Sequence, residues 1–185
     1  MKNFRYYMEN KKSIHISRNL DLSCRKNLIT LEKIKSVDGN LDLSDCPNLT
    51  SLGELESVSG YLDISNCTKL ITLKKLKSVG GYLDISNCSS LTSLGKLKSI
   101  GGFLDARYCS KLISLEELES VGGNLDLRHC SNLKSLGKLR SIGENLYLKN
   151  CSNLISLGEL ESVGGSIYDA SKLIKEKYKG KFNFK

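Results

Sequence analysis

Apolar residues recur along this chain in a pattern that repeats every 21 residues. In the unit that opens at Leu62, the first and third residues are apolar, an alternation typical of a short β-strand. The apolar residues that follow come at every third position: Leu70, Leu73, Leu76 and Val79. A period of three is too short for an amphipathic α-helix, so this part of the unit is predicted to be 3₁₀, polyproline-like or extended.

Seven such units follow one another over residues 20–166. Each opens on a leucine: Leu20, Leu41, Leu62, Leu83, Leu104, Leu125 and Leu146. Because one unit cannot enclose a core alone, the units are predicted to stack at the spacing of neighbouring strands, about 4.8 Å. The expected fold is a solenoid with a parallel β-sheet on one face and a helix-poor back. A glycine pair such as Gly80-Gly81 is expected to take positive φ and turn the chain into the next strand.

The segments on either side of the units are predicted to cap the ends of the solenoid. Residues 1–19 form an N-terminal cap and partial repeat, in which residues 13–19 align with the end of a unit. The residues expected to cap this end are Phe4, Tyr6 and Tyr7. Residues 167–185 form a basic C-terminal cap.

Within the C-terminal cap, residues 170–178 are predicted to be a short helix, with Leu173, Ile174 and Tyr178 packed on the last unit. Residues 181–185 (KFNFK) alternate like a strand. The rival interpretation is a basic tail that contacts a membrane or nucleic acid. The cap is preferred because the apolar residues of this segment need a surface to pack on.

The pattern L-x-L-x-x-C-x-x-L-x-x-L resembles the leucine-rich repeat family, and the resemblance covers positions 20–166. The portion V-G-G-x-L-x-I is also similar to the short repeats of receptor ligand-binding L domains. This resemblance implies a right-handed, curved leucine-rich-repeat solenoid that binds proteins on its sheet face, without naming the partner. The 21-residue unit leaves no room for the α-helix of longer leucine-rich repeats.

Six of the seven cysteines occupy one column of the repeat: Cys46, Cys67, Cys88, Cys109, Cys130 and Cys151. Parallel side chains about 4.8 Å apart miss the Cβ separation of about 3.8 Å that a disulfide prefers. These cysteines are therefore predicted to be buried and reduced, in preference to metal binding or oxidation. Cys24 lies one position early, so the first unit is expected to be irregular. Reduced thiols favour a cytoplasmic protein, including one delivered into a host cell.

Three columns of outward side chains are predicted on the sheet face, because alternate residues of a strand point to one side. The first column holds Asn40, Tyr61, Tyr82, Phe103, Asn124 and Asn145. The second holds Asp21, Asp42, Asp63, Asp84, Asp105 and Asp126, then Tyr147 and Tyr168. The third changes from serine to base: Ser23, Ser44, Ser65, Ser86, Arg107, Arg128 and Lys149.

This face is the predicted site for a partner protein, because consecutive exposed aromatic residues beside charges are typical of binding hot spots. The candidate residues are Tyr61, Tyr82, Phe103, Asp63, Asp84, Asp105, Arg107, Arg128, Tyr147 and Lys149. Two alternatives stay open. The rings could simply shelter one another, and the aspartates could be an ordinary solvated feature of the strand, hydrogen-bonded by serine. A site for a basic partner or divalent cations is the other interpretation of the aspartate column.

Net charge and hydropathy exclude several other classes. The formal charge of +8 arises at the ends, since residues 1–19 hold five basic residues against one acid and residues 167–185 hold six against two. A basic nucleic-acid stripe along the body is therefore disfavoured. Charged pairs on the back alternate in sign between most units, as from Glu54/Glu56 to Lys75/Lys77, and are expected to pair across units. No apolar run approaches the roughly 20 residues of a membrane span.

Catalysis has little support in the sequence. The one adjacent histidine and cysteine, His129 and Cys130, occur in a single unit, and the cysteine column is predicted to point inward. We therefore expect a monomeric, non-enzymatic protein-binding module with no cofactor and no small-molecule substrate, such as an adaptor, an inhibitor or a host-directed effector. The alternative is a structural component of a virion or surface assembly, and a nucleic-acid binder ranks third.

Overall fold

A computed structural model describes residues 13–185 and shows a parallel β-solenoid of about seven turns. Each turn contributes one strand to each of two eight-stranded parallel sheets. The aspartate sheet, named for its outward acids, consists of β2 (Leu20–Asp21), β4 (Leu41–Asp42), β6 (Leu62–Asp63), β8 (Leu83–Asp84), β10 (Leu104–Asp105), β12 (Leu125–Asp126), β14 (Leu146–Tyr147) and β16 (Ile167–Tyr168). This is the sheet that the alternation of apolar residues predicts.

The second sheet lies on the back of each unit, where the prediction is 3₁₀, polyproline-like or extended structure, and the chain there is extended. This serine sheet consists of β1 (Ile14–Ile16), β3 (Ile34–Val37), β5 (Ser57–Val58), β7 (Ser78–Val79), β9 (Ser99–Ile100), β11 (Ser120–Val121), β13 (Ser141–Ile142) and β15 (Ser162–Val163). A third side is held by single parallel bridges, such as Thr72 to Ser93. The solenoid therefore has three sides.

The register is uniform along the aspartate sheet. Each strand pairs with the residues one unit further on, so Leu62 lies beside Leu83 and Asp63 beside Asp84. The leucines that open the units from 41 to 146 are completely buried, as are those of the period-three segment from Leu70 to Leu139. Stacking therefore places identical columns on identical columns, and the core runs continuously through the solenoid.

The prediction for the glycine pairs is wrong. Gly80 and Gly81 do not take positive φ; the left-handed positions lie at two other corners of the unit, for example at Asn66 and Gly95. The pairs are required because neighbouring units approach closely there. A Cβ atom on Gly101 would lie 2.0 Å from the carbonyl oxygen of Gly80. The constraint acts between units, not on the local turn.

The six cysteines of the shared column are buried and free, as predicted, and Cys24 is exposed. Each buried thiol donates to a backbone carbonyl of the preceding unit, as Cys67 does to Leu43 (3.2 Å) and Cys88 to Ile64 (3.1 Å). Burial raises the pKa of the Cys67 thiol to about 12. These thiols pack and hydrogen-bond inside the core, where a thiolate is strongly disfavoured.

The C-terminal segment covers the last unit. Helix α1 (Lys172–Lys177) begins after the N-cap residue Ser171 and buries Ile174 completely. Tyr178 is half-buried, and its hydroxyl accepts from the Leu157 N–H (3.0 Å). The prediction that Leu173 also packs on the last unit is wrong, because a six-residue helix turns only one narrow face to the core and Leu173 is 53% exposed. Residues 181–185 extend along β16, with a bridge from Ile167 to Phe184.

At the other end, β1 adds residues 14–16 to the serine sheet, beside β3. The expected cap residues Phe4, Tyr6 and Tyr7 lie outside the described residues. On the back, the expected ion pairs between units are present, including Lys77–Glu56 (2.6 Å) and Lys138–Glu117 (2.8 Å). Within residues 13–185, no helix is long and apolar enough to cross a membrane.

Candidate functional site

Three aromatic rings form a continuous stack on the outer face of the aspartate sheet. The ring centroids of Tyr61 and Tyr82 are 4.6 Å apart, and those of Tyr82 and Phe103 are 4.8 Å apart. The rings are parallel within 6°. The unit spacing places these side chains on top of one another, so the facing sides of the rings cover each other and the ring edges remain. Phe103 is 42% exposed.

The aromatic residues replace a structural asparagine at this position of the unit. Where asparagine is present, its Oδ1 accepts from the backbone N–H of the next unit, as Asn40 does from Tyr61 (3.0 Å) and Asn145 does from Ser166 (2.9 Å). A tyrosine or phenylalanine ring cannot accept in this geometry. The aromatic units therefore give up a hydrogen bond between units that the asparagine units make.

The aspartates beside the N-terminal part of this stack are held by their own units. Asp42 Oδ1 accepts from both the N–H (2.9 Å) and the hydroxyl (2.7 Å) of Ser44. Asp63 and Asp84 accept at Oδ1 from the N–H groups of Ser65 (2.9 Å) and Ser86 (2.8 Å). Within residues 13–185, none of these three carboxylates lies within 4.0 Å of a basic group. The serine contribution expected from the sequence is present.

The next two aspartates are neutralised by arginine. Arg107 Nη2 and Nε donate to Asp105 Oδ2 at 2.7 and 2.9 Å, and Arg128 makes the same contacts with Asp126 at 2.5 and 3.0 Å. Arg107 also approaches Asp126 of the following unit, at 3.8 Å. The four side chains therefore form a ladder in which each charge has an opposite neighbour.

Electrostatics differ along the column accordingly. Burial raises the pKa of Asp84, and the nearby carboxylates of Asp105 and Asp63 raise it further. The pKa of Tyr82 is also raised, first by burial and then by the neighbouring Tyr61 and the carboxylates around it. The hydrogen bonds that Arg107 donates to Asp105 raise the pKa of Arg107, which keeps this guanidinium firmly charged. The unpaired acids thus surround the tyrosines, while the bases lie further along the sheet.

The predicted site residues share one sheet face but differ in availability. Tyr147 stacks on Tyr168 with centroids 5.1 Å apart, and the Arg128 guanidinium lies 5.6 Å from the Tyr147 ring centre. Lys149 is exposed at the end of the base column. Asp105 is only 9% exposed and already bound, so it offers little to a partner.

An exposed apolar column on the third side was not anticipated. Ile29, Ile71, Ile113 and Ile155 are 61%, 54%, 49% and 58% exposed. They occupy the same position in every second unit, with Thr50, Thr92 and Lys134 between them. The recurrence of isoleucine in every second unit is visible in the sequence. It is not distinguishable there from the period-three pattern of buried leucines around it, so the outward direction of these isoleucines is not predicted.

The remaining surfaces offer less chemistry. A groove of about 840 Å³ runs along the serine sheet over six units, lined by serine, by valine or isoleucine, and by glycine or serine, without a charged side chain. His129 stacks on Tyr108 at 4.5 Å, whereas the Cys130 thiol donates to the Ala106 carbonyl at 3.0 Å. Because burial raises the pKa of Cys130, the two do not form an activated pair. No group of metal-ligating side chains is found in the described part of the chain.

These features define a repeat protein of the parallel β-solenoid class, with buried cysteines at regular repeat positions. No protein-family model, curated protein or solved structure matches the chain.

Proposed function

We propose that this chain is a leucine-rich-repeat-type solenoid that binds a partner protein, without catalysis, through the outer face of the aspartate sheet. It acts as a monomer in the cytoplasm, as an adaptor, inhibitor or host-directed effector. The observation that carries the proposal is the outward-facing stack of Tyr61, Tyr82 and Phe103, in which Phe103 is exposed and the two tyrosines are half-buried. Large rigid aromatic side chains contribute most to binding when they lie at the centre of a polar surface.

The asparagine column supports a role beyond stability. Other units carry asparagine at this position, and its side-chain oxygen accepts a hydrogen bond from the backbone N–H of the next unit. Each such bond contributes about 1 kcal/mol. Three consecutive units use aromatic residues instead, and the carboxylates of Asp42, Asp63 and Asp84 lie beside them. Their position at the centre of a charged face favours recognition over mutual shelter.

The test replaces the rings by the residue that the repeat itself uses. The variant Tyr61→Asn/Tyr82→Asn/Phe103→Asn should keep the fold, because asparagine restores the ladder of hydrogen bonds between units. Affinity capture from a lysate of the source organism or its host, read by mass spectrometry, should identify a protein that wild type retains and the variant loses. The purified partner should then bind the variant about a hundredfold more weakly.

The matched control is Ile29→Ala/Ile71→Ala/Ile113→Ala, which removes a similar apolar surface from the third side. This variant should bind the partner as wild type does. Equal affinity of the asparagine variant and wild type for every captured protein would overturn the assignment of the aspartate sheet.

A structural subunit is the second candidate, and the exposed isoleucine column favours it. Apolar side chains recurring every second unit could associate with a second copy or a neighbouring subunit. Sedimentation should then show self-association of wild type that the isoleucine variant abolishes and the asparagine variant retains. A wild type that stays monomeric at about 100 μM, well above a typical assembly affinity, would exclude this candidate.

A further inference from the structure

The acids beside the aromatic stack have unused hydrogen-bonding capacity. At Asp42, Asp63 and Asp84, the serine donors reach only Oδ1. Within residues 13–185, no donor reaches Oδ2 of these three side chains. At Asp105, by contrast, Arg107 occupies both oxygens. Three adjacent carboxylates on neighbouring strands are mutually destabilising, so a bound cation would relieve their repulsion.

The aromatic stack defines what kind of cation fits beside these acids. The facing sides of the three rings cover one another, so the stack presents mainly apolar ring edges to a partner. An inorganic cation would gain nothing from such edges. A lysine or arginine side chain has a long alkyl stem that can lie against them and a charged head that can reach the carboxylates.

We propose that the segment recognised at this face is a basic stretch of the partner protein, rich in arginine. This inference rests on the proposed function and specifies the partner that the aspartate sheet takes. The guanidinium donates from a planar fork, which suits carboxylates on successive units better than a single ammonium does. The acidic charge here also opposes nucleic acid, which carries phosphates of the same sign.

The arginines that already lie on the sheet show the same pairing within the chain. Arg107 and Arg128 each bind an aspartate of this column through two nitrogens, at distances between 2.5 and 3.0 Å. In the units of Asp42, Asp63 and Asp84, serine replaces that arginine. A partner arginine would therefore pair with these aspartates as Arg107 and Arg128 pair with the aspartates of their own units.

The probe is a fluorescein-labelled decapeptide of alternating arginine and serine, compared with a peptide in which citrulline replaces each arginine. The variant Asp42→Asn/Asp63→Asn/Asp84→Asn keeps an oxygen for the serine N–H and removes three charges. The matched control Glu54→Gln/Glu117→Gln/Glu159→Gln removes three charges from the back. Affinities are measured by fluorescence anisotropy at low and high salt, and thermal unfolding verifies the fold of each variant.

Wild type should bind the arginine peptide at least about tenfold more tightly than the Asp→Asn variant does. The affinity of the Glu→Gln variant for this peptide should remain within about twofold of the wild-type affinity. The citrulline peptide should not bind, and added salt should weaken the arginine peptide. Equal losses in both variants would overturn the proposal, because they would indicate only long-range attraction. If wild type self-associates and the Asp→Asn variant does not, the face binds the basic cap of a second copy, and the proposal is also overturned.

The partner found by affinity capture separates this inference from the function on which it rests. If that partner requires the aromatic residues but binds the Asp→Asn variant normally, the binding face stands and its basic specificity is wrong. If the partner is indifferent to the aromatic residues, both are wrong.

Discussion

The two halves of the aspartate sheet place the same leucine-aspartate strand in different surroundings. In the N-terminal half, the residue two positions after the acid is serine, and Asp63 keeps an oxygen without a donor among the described residues. In the C-terminal half that residue is arginine, and Asp126 is bound through both oxygens. A change at one outward position thus converts unbalanced charge into a neutral ladder, while the buried leucine that opens each unit stays the same.

The boundary between the halves lies between Asp84 and Asp105. Asp84 is the last acid without an arginine of its own, and its pKa is raised by burial and by the charge of Asp105. Asp105 lies one unit further and is held by Arg107. Surface electrostatics in this solenoid are therefore decided unit by unit, while packing is decided by the whole stack.

The largest expected effect tests whether a buried leucine contributes equally to stability in both halves of the sheet. Leu83→Ala and Leu125→Ala each remove a completely buried side chain from the same column. Each should lower the free energy of unfolding by about 2–5 kcal/mol, and the two values should agree within about 1 kcal/mol. Urea unfolding at neutral pH measures both. An unchanged midpoint for either variant would contradict the continuous core.

A smaller effect is expected where the ladder is broken. Asp105→Asn removes the charged acceptor of Arg107 while keeping the size of the side chain. The loss should be about 1 kcal/mol, because the Arg107 side chain is 41% exposed and solvent screens the pair. Urea unfolding compares this variant with Arg107→Gln and with the double variant. Additive losses in the double variant would show that the two side chains do not act as a pair.

Aspartate-to-asparagine substitution in the N-terminal half should raise the free energy of unfolding instead of lowering it. Asp84→Asn keeps an acceptor for Ser86 and removes a carboxylate that its neighbours repel, so stability at pH 7 should rise, by less than about 1 kcal/mol after allowance for screening. The folded-state pKa of Asp84 is raised, so the folded state binds this proton more tightly than the unfolded state does. The contribution of Asp84 to stability therefore increases as pH falls through its folded pKa.

The stability difference between Asp84→Asn and wild type should accordingly shrink as the pH is lowered from 7 into the carboxyl range. Urea unfolding of the two proteins in parallel cancels the opposite contributions of Asp21 and Glu56, whose pKa values are lowered. A stability difference that is constant with pH, or a variant less stable than wild type at pH 7, would contradict the conclusion that burial and neighbouring acids destabilise the Asp84 carboxylate.

Much of the fold follows from the sequence because the repeat makes every contact recur. The buried leucines, the cysteine column and the ion pairs of the back, such as Lys138–Glu117, are all consequences of stacking units in register. The role of Gly101 could not be deduced in the same way, since the carbonyl that it approaches belongs to Gly80, a unit earlier. Local φ preference suggests a turn, whereas the actual constraint is the distance between two units.

The candidate site was predictable as a surface but not as a set of interactions. Alternation within the strand places Tyr61 and Asp63 on one side, and this requires no knowledge of the fold beyond the strand itself. The pairing of Arg107 with Asp105 depends on which of several nearby acids the side chain reaches. The exposure of Ile71 depends on which way the third side bends, and the apolar pattern alone does not distinguish it from a buried column.

The uniform register has a consequence for how such a chain can change in length. Because Leu62 pairs with Leu83, and Leu83 in turn with Leu104, removal of 21 consecutive residues rejoins two strands that already match. Recombination between units of one gene can therefore delete or duplicate a whole turn without disturbing the core. An event among the serine-bearing units changes the number of aspartates without an arginine by one, so the extent of acidic surface can vary independently of the scaffold.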